Sequence, residues 1–145
     1  MTVIAWDGKT LAADKQATVA GQAYTTTKIH RVPGGLVAFS GCGTHAAELL
    51  EWFKNGRVAK DYPSRSNFDE AAGSTFISNK GVVYMYAYNS GYPEVFQDSF
   101  YARGAGRDYA LAAMFLGESA ARAVEVACAF DTSCGRGIDT LTLEE

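Results

Sequence analysis

The sequence predicts an α+β chain in which helices cover two stacked β-sheets, a four-layer αββα sandwich. Three observations predict it. The segments run strands, helix, strands, two helices, strand, so the helices are segregated from the strands. Residues 36–39, Leu-Val-Ala-Phe, read as a strand apolar on both faces, as a central strand must be. Two helical patterns meet at Gly117 with almost no linker, so they must fold back as an antiparallel hairpin. The 145 residues are expected to form one domain, 1–145, with room for a single core.

In chain order, Thr2-Val-Ile-Ala-Trp6 is a β-branched and aromatic strand, and Asp7-Gly8 is a hairpin turn. Thr10-Leu-Ala-Ala13 returns antiparallel and delivers Asp14. Residues 15–21 are small and polar, a loop or irregular strand. Tyr24-Thr-Thr-Thr27 is strongly β-prone and continues through Lys28-Ile-His-Arg-Val32 with Ile29 facing away from Lys28 and His30. Pro33-Gly34-Gly35 turns into the strand at 36–39, which Ser40-Gly41-Cys42-Gly43 breaks. Thr44 is the expected N-cap of a helix ending near Asn55-Gly56, and residues 57–72 read mostly as loop. Strands follow at 74–77 and 82–88 around a turn at 79–81, then a loop at 89–93 and a short strand at 99–102. A helix from about Arg107 to Leu116 is closed by Gly117, Ser119 caps the next helix towards Phe130, and 138–143 is the last strand.

Composition removes several function classes. The apolar content of 48%, charged content of 20% and net charge of −3 are those of an ordinary globular chain. The mild acidity argues against nucleic acid or an anionic membrane as partner. No run approaches the roughly 20 apolar residues of a membrane span, and no secretory leader is visible. Cys42, Cys128 and Cys134 have no paired spacing, as expected of reduced thiols in a cytoplasm. With His30 and His45 they also lack metal-ligand spacing, so no metal site is expected, and no cofactor motif is present.

The chemistry-bearing residues converge on the start of the chain. Removal of Met1 would give Thr2 a free α-amine beside its own hydroxyl, placing base and nucleophile on one residue. Asp14 ends the strand that pairs with the Thr2 strand. A partly buried Lys28 beside Asp14 would stay charged and polarise the Thr2 hydroxyl. Gly41, at a strand-to-helix break, can offer a backbone N–H to a developing oxyanion, and Asp131, after the last helix, can bond the Thr2 backbone or amine. Each also has a plainer reading: a turn residue, a solvated strand face, a helix-entry glycine and helix-end polarity.

Taken together, Thr2 with Leu-Ala-Ala-Asp14, Thr27-Lys28-Ile29, Ser40-Gly41-Cys-Gly-Thr-His-Ala46, Gly104-Ala105-Gly106 and Phe130-Asp131-Thr-Ser-Cys134-Gly135 resemble, in order, the landmarks of proteasome-type N-terminal nucleophile (Ntn) hydrolases, nearest the bacterial HslV-like and proteasome β-subunit-like peptidases. The resemblance implies an Ntn-hydrolase fold, here reduced, because 57–72 is too short for the family's usual second helix. It implies Thr2 as nucleophile, Asp14 and Lys28 as its polarising pair, Gly41 as oxyanion donor and Asp131 as support. It implies a substrate pocket of Ala17, Thr26, His30, Phe39, Gly43 and Ala47, with Thr18 pairing to the substrate backbone. It further implies unfolded polypeptide or peptide substrates, a homo-oligomeric ring and a separate AAA+ unfoldase ATPase.

Two positions depart from the family's pattern. Ala105 stands between the glycines where the family usually carries Ser, and Cys134 stands where a second Ser is common. Both bear on the proton relay of the amine, where water can replace a lost hydroxyl. Three functions therefore remain in view: a threonine endopeptidase, an inactive ring scaffold or binding module, and a non-peptidase Ntn amidohydrolase.

Overall fold

The computed structural model describes residues 2–143. The chain divides into two compact units, Met1–Ile29 with Asp98–Glu145, and His30–Gln97.

The first unit opens with the hairpin of β1 (Ile4–Trp6) and β2 (Thr10–Asp14). Asp7 builds the turn. Its Oδ1 accepts from the N–H groups of Lys9 at 2.9 Å and Thr10 at 2.8 Å, while Gly8 takes the left-handed φ of +93°. β3 (Gln16–Val19) and β4 (Gln22–Thr25) then pair as a ribbon of their own, so the 15–21 segment holds a regular strand. The single β-run expected from Tyr24 to Val32 is broken. Thr26, Thr27 and Lys28 belong to no strand, and β5 (Ile29–Val32) joins a different sheet. The cause is tertiary: the Thr26 N–H bonds the Lys15 carbonyl at 2.8 Å and Lys28 turns inward to a carboxylate, overriding the β-propensity of the threonines. Lys28 and Ile29 are consequently both buried, against the alternation expected of them.

The second unit is an antiparallel sheet ordered β5-β6-β7-β8-β9, from β6 (Gly35–Gly41), β7 (Ala72–Ser78), β8 (Val83–Tyr86) and β9 (Glu94–Phe96), with α1 (Gly43–Lys54) between β6 and β7. β9 is too short for alternation to announce it. α1 lays Leu49, Trp52 and Phe53 against Val37, Phe39, Phe76 and Tyr86, with Phe53 stacked on Phe76 and Trp52 edge-on to Tyr86. Its N-cap is Cys42 and not Thr44. β6 stays paired as far as Gly41 and the Cys42 N–H bonds the Ala71 carbonyl at 2.9 Å, which fixes where the chain can turn helical. Between α1 and β7 there is no second α-helix, only two 3₁₀ turns at Ala59–Asp61 and Phe68–Glu70. His45 secures this segment: its Nε2–H donates to the Pro63 carbonyl and its Nδ1 accepts from the Ala72 N–H, at 2.6 and 2.9 Å.

The chain returns to the first unit with β10 (Tyr101–Arg103), α2 (Arg107–Phe115), α3 (Ala120–Phe130) and β11 (Ile138–Thr142). They complete an antiparallel sheet ordered β10-β1-β2-β11. The expected helical hairpin is present, with Ser119 Oγ accepting from the Arg122 N–H as N-cap. Alanines carry the packing: Ala110, Ala113, Ala123 and Ala127 let α2 and α3 approach Val3, Ala5 and Ala12 closely on one sheet face. Ile4, Trp6 and Leu11, on the opposite face, are buried as well. No helix among the described residues is long and apolar enough to cross a membrane.

Candidate active site

The β1–β2 pairing brings Asp14 beside the start of the chain. The Asp14 N–H donates to the Val3 carbonyl at 3.2 Å, and the Val3 N–H donates to Asp14 Oδ1 at 3.1 Å. The Asp14 carboxylate is fully buried, at 0% exposure, a position that costs several kcal/mol unless the charge is met. Four donors meet it. Oδ1 accepts from Val3 and from Lys28 Nζ at 2.7 Å, and Oδ2 accepts from the N–H groups of Gln16 at 3.2 Å and Gly135 at 3.1 Å. Lys28, 6% exposed, reaches from the non-strand stretch before β5 and also donates to Thr2 Oγ1 at 3.1 Å. Thr2, Lys28 and Asp14 thus form one buried line: hydroxyl, ammonium, carboxylate.

This line has a definite chemical capacity. An ammonium donating to a hydroxyl oxygen favours the deprotonated form of that oxygen. Asp14 holds the Lys28 ammonium in place, and the backbone donors hold the Asp14 carboxylate. The result is a hydroxyl prepared to become a nucleophile once a base takes its proton.

Gly104 and Gly106, which the sequence offers as one landmark of the resemblance, hold the backbone of Thr2. The Gly106 N–H donates to the Thr2 carbonyl at 3.1 Å. Gly104 sits at φ +101°, and a Cβ there would fall 2.1 Å from the Thr2 oxygen, so only glycine fits. The signal was the Gly-x-Gly spacing, but its target is about 100 residues away in the chain and carries no local trace. Ala105 between them is exposed. Cys134 is buried, and burial, with the Asp14 charge second, pushes its thiol above the ordinary range. Asp131 is the C-cap of α3, and its Oδ1 accepts from the Ser133 hydroxyl at 2.6 Å and N–H at 2.9 Å. These bonds, the hydroxyl first, hold its carboxyl below the usual range.

The remaining expected site residues fall in two groups. Ala17 and Thr18 lie on β3, paired with Tyr24 and Ala23, and Thr26 lies in the stretch bonded to Lys15, all in the unit that holds Thr2. His30, Phe39, Gly41, Gly43 and Ala47 belong to the second unit. There His30 and Phe39 have ring centroids 6.0 Å apart, and Phe39, 5% exposed, also packs on Phe53. Gly41 ends β6 at φ +111°, where a Cβ would fall 2.6 Å from the Ala71 carbonyl oxygen. Gly43 and Ala47 lie exposed on α1. Among the described residues no group of three or more His, Cys, Asp or Glu is arranged to hold a metal ion.

No family model and no curated protein matches the sequence. Solved structures do match. The chain superposes on Thiobacillus denitrificans BPH in complex with epoxomicin with a TM-score of 0.73 and 21% identity, covering 100% of both chains. For Thiobacillus denitrificans BPH alone the TM-score is 0.70 at 21% identity, covering 99% of this chain and 98% of that one. For the eukaryotic HslV of Trypanosoma brucei it is 0.71 at 19% identity, covering 99% of each. The fold is the proteasome/HslV-like Ntn-hydrolase fold. The likeness runs through the whole chain.

Proposed function

We propose that the chain is a threonine endopeptidase subunit of a self-compartmentalising, HslV-like protease, with Thr2 as nucleophile. The observation that carries this reading is the buried Thr2–Lys28–Asp14 line, with Lys28 Nζ 3.1 Å from the hydroxyl and 2.7 Å from the carboxylate. Met1 lies outside the described residues; its removal, expected before a residue as small as Thr, frees the Thr2 amine. That amine takes the hydroxyl proton as Thr2 Oγ attacks the peptide carbonyl carbon. The resemblance assigns the oxyanion to the Gly41 N–H, and such a donor is worth about 2.7–4 kcal/mol. The proton then passes to the leaving amine nitrogen, the C–N bond breaks, and a Thr2 ester remains. Water attacks the ester, releases the acid product and restores the hydroxyl. Asp131, fixed by Ser133, orients the amine.

The resemblance assigns Thr18 to the substrate backbone and Ala17, Thr26, His30, Phe39, Gly43 and Ala47 to its side chains. The substrates are unfolded polypeptides or peptides, delivered by an AAA+ ATPase. A homo-oligomeric ring is supported by the apolar strip on α2, where Phe115 and Leu116 are each 80% exposed beside Phe100 and Leu111. Free Cys42, Cys128 and Cys134 suit a reducing cytoplasm. A second reading, an inactive ring scaffold, is favoured by Ala105 and Cys134 in place of hydroxyls.

Epoxomicin, the compound named with Thiobacillus denitrificans BPH, serves as the probe. Intact mass should show loss of Met1, then gain of one inhibitor mass on the N-terminal peptide. The Thr2→Ala variant should gain none and lose peptide hydrolysis by roughly 10³-fold or more. Retained Met1, or a Thr2→Ala variant with more than about one hundredth of the activity, rejects the reading.

A further inference from the structure

Lys28 does its work from a stretch that no sheet holds. Residues 26–28 belong to no strand, and the ammonium must sit within hydrogen-bond reach of two atoms at once. A second lysine restrains this stretch. Lys15 follows Asp14 directly, and its carbonyl accepts from the Thr26 N–H at 2.8 Å. Its side chain crosses to the same stretch, where Nζ donates to Thr27 Oγ1 at 3.2 Å. The same Nζ is anchored by Asp139 Oδ2 at 2.7 Å, on β11. Its backbone N–H donates to the Gly135 carbonyl at 3.0 Å, and Gly135 in turn donates to Asp14. One residue therefore ties together the two residues before Lys28, the loop that feeds the Asp14 carboxylate, and β11.

We propose that Lys15 is a positioning residue: it sets the reach of Lys28 to Thr2 by clamping Thr26 and Thr27 to β11 through Asp139. The inference rests on the peptidase reading above and extends it. Lys15 touches neither the nucleophile nor the carboxylate of the line, and its ion pair with Asp139 is partly exposed. An exposed pair of this kind contributes little to stability. Its removal should therefore act on turnover through geometry, since a displacement near 1 Å in a reacting constellation can lower rates by about 10²-fold.

The test compares Lys15→Met, Lys15→Arg, Thr27→Val and Thr2→Ala on a fluorogenic peptide, with hydrogen exchange followed at residues 26–29. Lys15→Met should lower kcat by about ten- to a hundredfold while KM stays within about twofold. Its amides at 26–29 should exchange faster. Thr27→Val, which leaves the ion pair intact, should move both readouts the same way by less. Lys15→Arg keeps a cation able to reach Asp139 and Thr27, and should restore most of the turnover. Hydrolysis lost in Thr2→Ala but unchanged in Lys15→Met overturns this inference alone, as does a Lys15→Met variant that melts earlier with wild-type kcat. Hydrolysis that survives Thr2→Ala overturns the peptidase reading and this inference with it.

Discussion

Gly104 leaves no room between itself and Thr2: a single methyl group on it would overlap the Thr2 carbonyl oxygen at 2.1 Å. Gly104→Ala should therefore push the Thr2 backbone aside. Gly117 provides the control, because at φ +95° a methyl group on it would meet nothing within 4 Å. Gly117→Ala incurs only the backbone strain, about 1–3 kcal/mol. Gly104→Ala should destabilise by more than that and should also lower kcat, which Gly117→Ala should leave unchanged. Thermal denaturation and turnover of the two variants measure the difference.

Removing Lys28 leaves Asp14 buried without its counter-charge. Lys28→Met should cost about 3–5 kcal/mol of stability, the usual range for breaking a buried pair from one side. On the proposed function it should lower kcat much more than it raises KM, because the lost charge faces the hydroxyl proposed to react. Lys28→Arg should rescue poorly, since a planar fork cannot take an ammonium's place between Asp14 and Thr2. Chemical denaturation and steady-state kinetics decide both points, and wild-type turnover in the Arg variant would contradict them.

The three thiols should react in a fixed order. Cys42 is held below the ordinary thiol range, first by the Thr44 hydroxyl 3.1 Å away and then by the His45 backbone, and it is partly exposed. Burial, with Asp14 second, pushes Cys128 up to about 11, and Cys134 is raised in the same way. At about pH 7.5 iodoacetamide should label Cys42 first, because the thiolate is the nucleophile. The raised Cys128 contributes stability below its unfolded value of roughly 8.5 and loses it as pH rises towards the folded value. Alkaline melting curves should accordingly fall between about pH 8.5 and 11, and less so for Cys128→Ala.

Phe39 is buried against Phe53 and His30, so Phe39→Ala should cost about 3–5 kcal/mol. On the proposed pocket, the variant should also accept larger side chains before the cut by about ten- to a hundredfold. Peptide-library profiling beside melting temperatures separates the two effects. A destabilised variant with an unchanged cleavage pattern assigns Phe39 to the core alone.

The hairpin at Asp7-Gly8, the Gly117 break and the Ser119 cap were legible because each signal and its effect lie within a few residues. Thr2, Asp14 and Lys28 were legible as candidates because hairpin pairing carries Asp14 back to the chain start. The break at 26–28 was not, since a threonine run keeps its β-propensity until a distant carbonyl takes the Thr26 N–H. The Thr44 cap failed for a related reason, as pairing along β6 decides where α1 begins. Neither the hold of Gly104 on Thr2 nor the clamp by Lys15 has any periodicity to read; both exist only once remote segments meet.

The Asp14 carboxylate takes one of its four donors from Gly135, 121 residues further along the chain. β2, which carries Asp14, has β11 as its outer neighbour, and β11 follows that glycine. On the ribosome, then, the β1–β2 hairpin emerges before Gly135 and β11, and its Asp14 carboxylate lacks that donor until they follow. Contacts of such separation close late and slowly. Thr2, the proposed nucleophile, therefore has the full set of Asp14 donors behind its Lys28 partner only after the segment that carries Gly135 has joined β2.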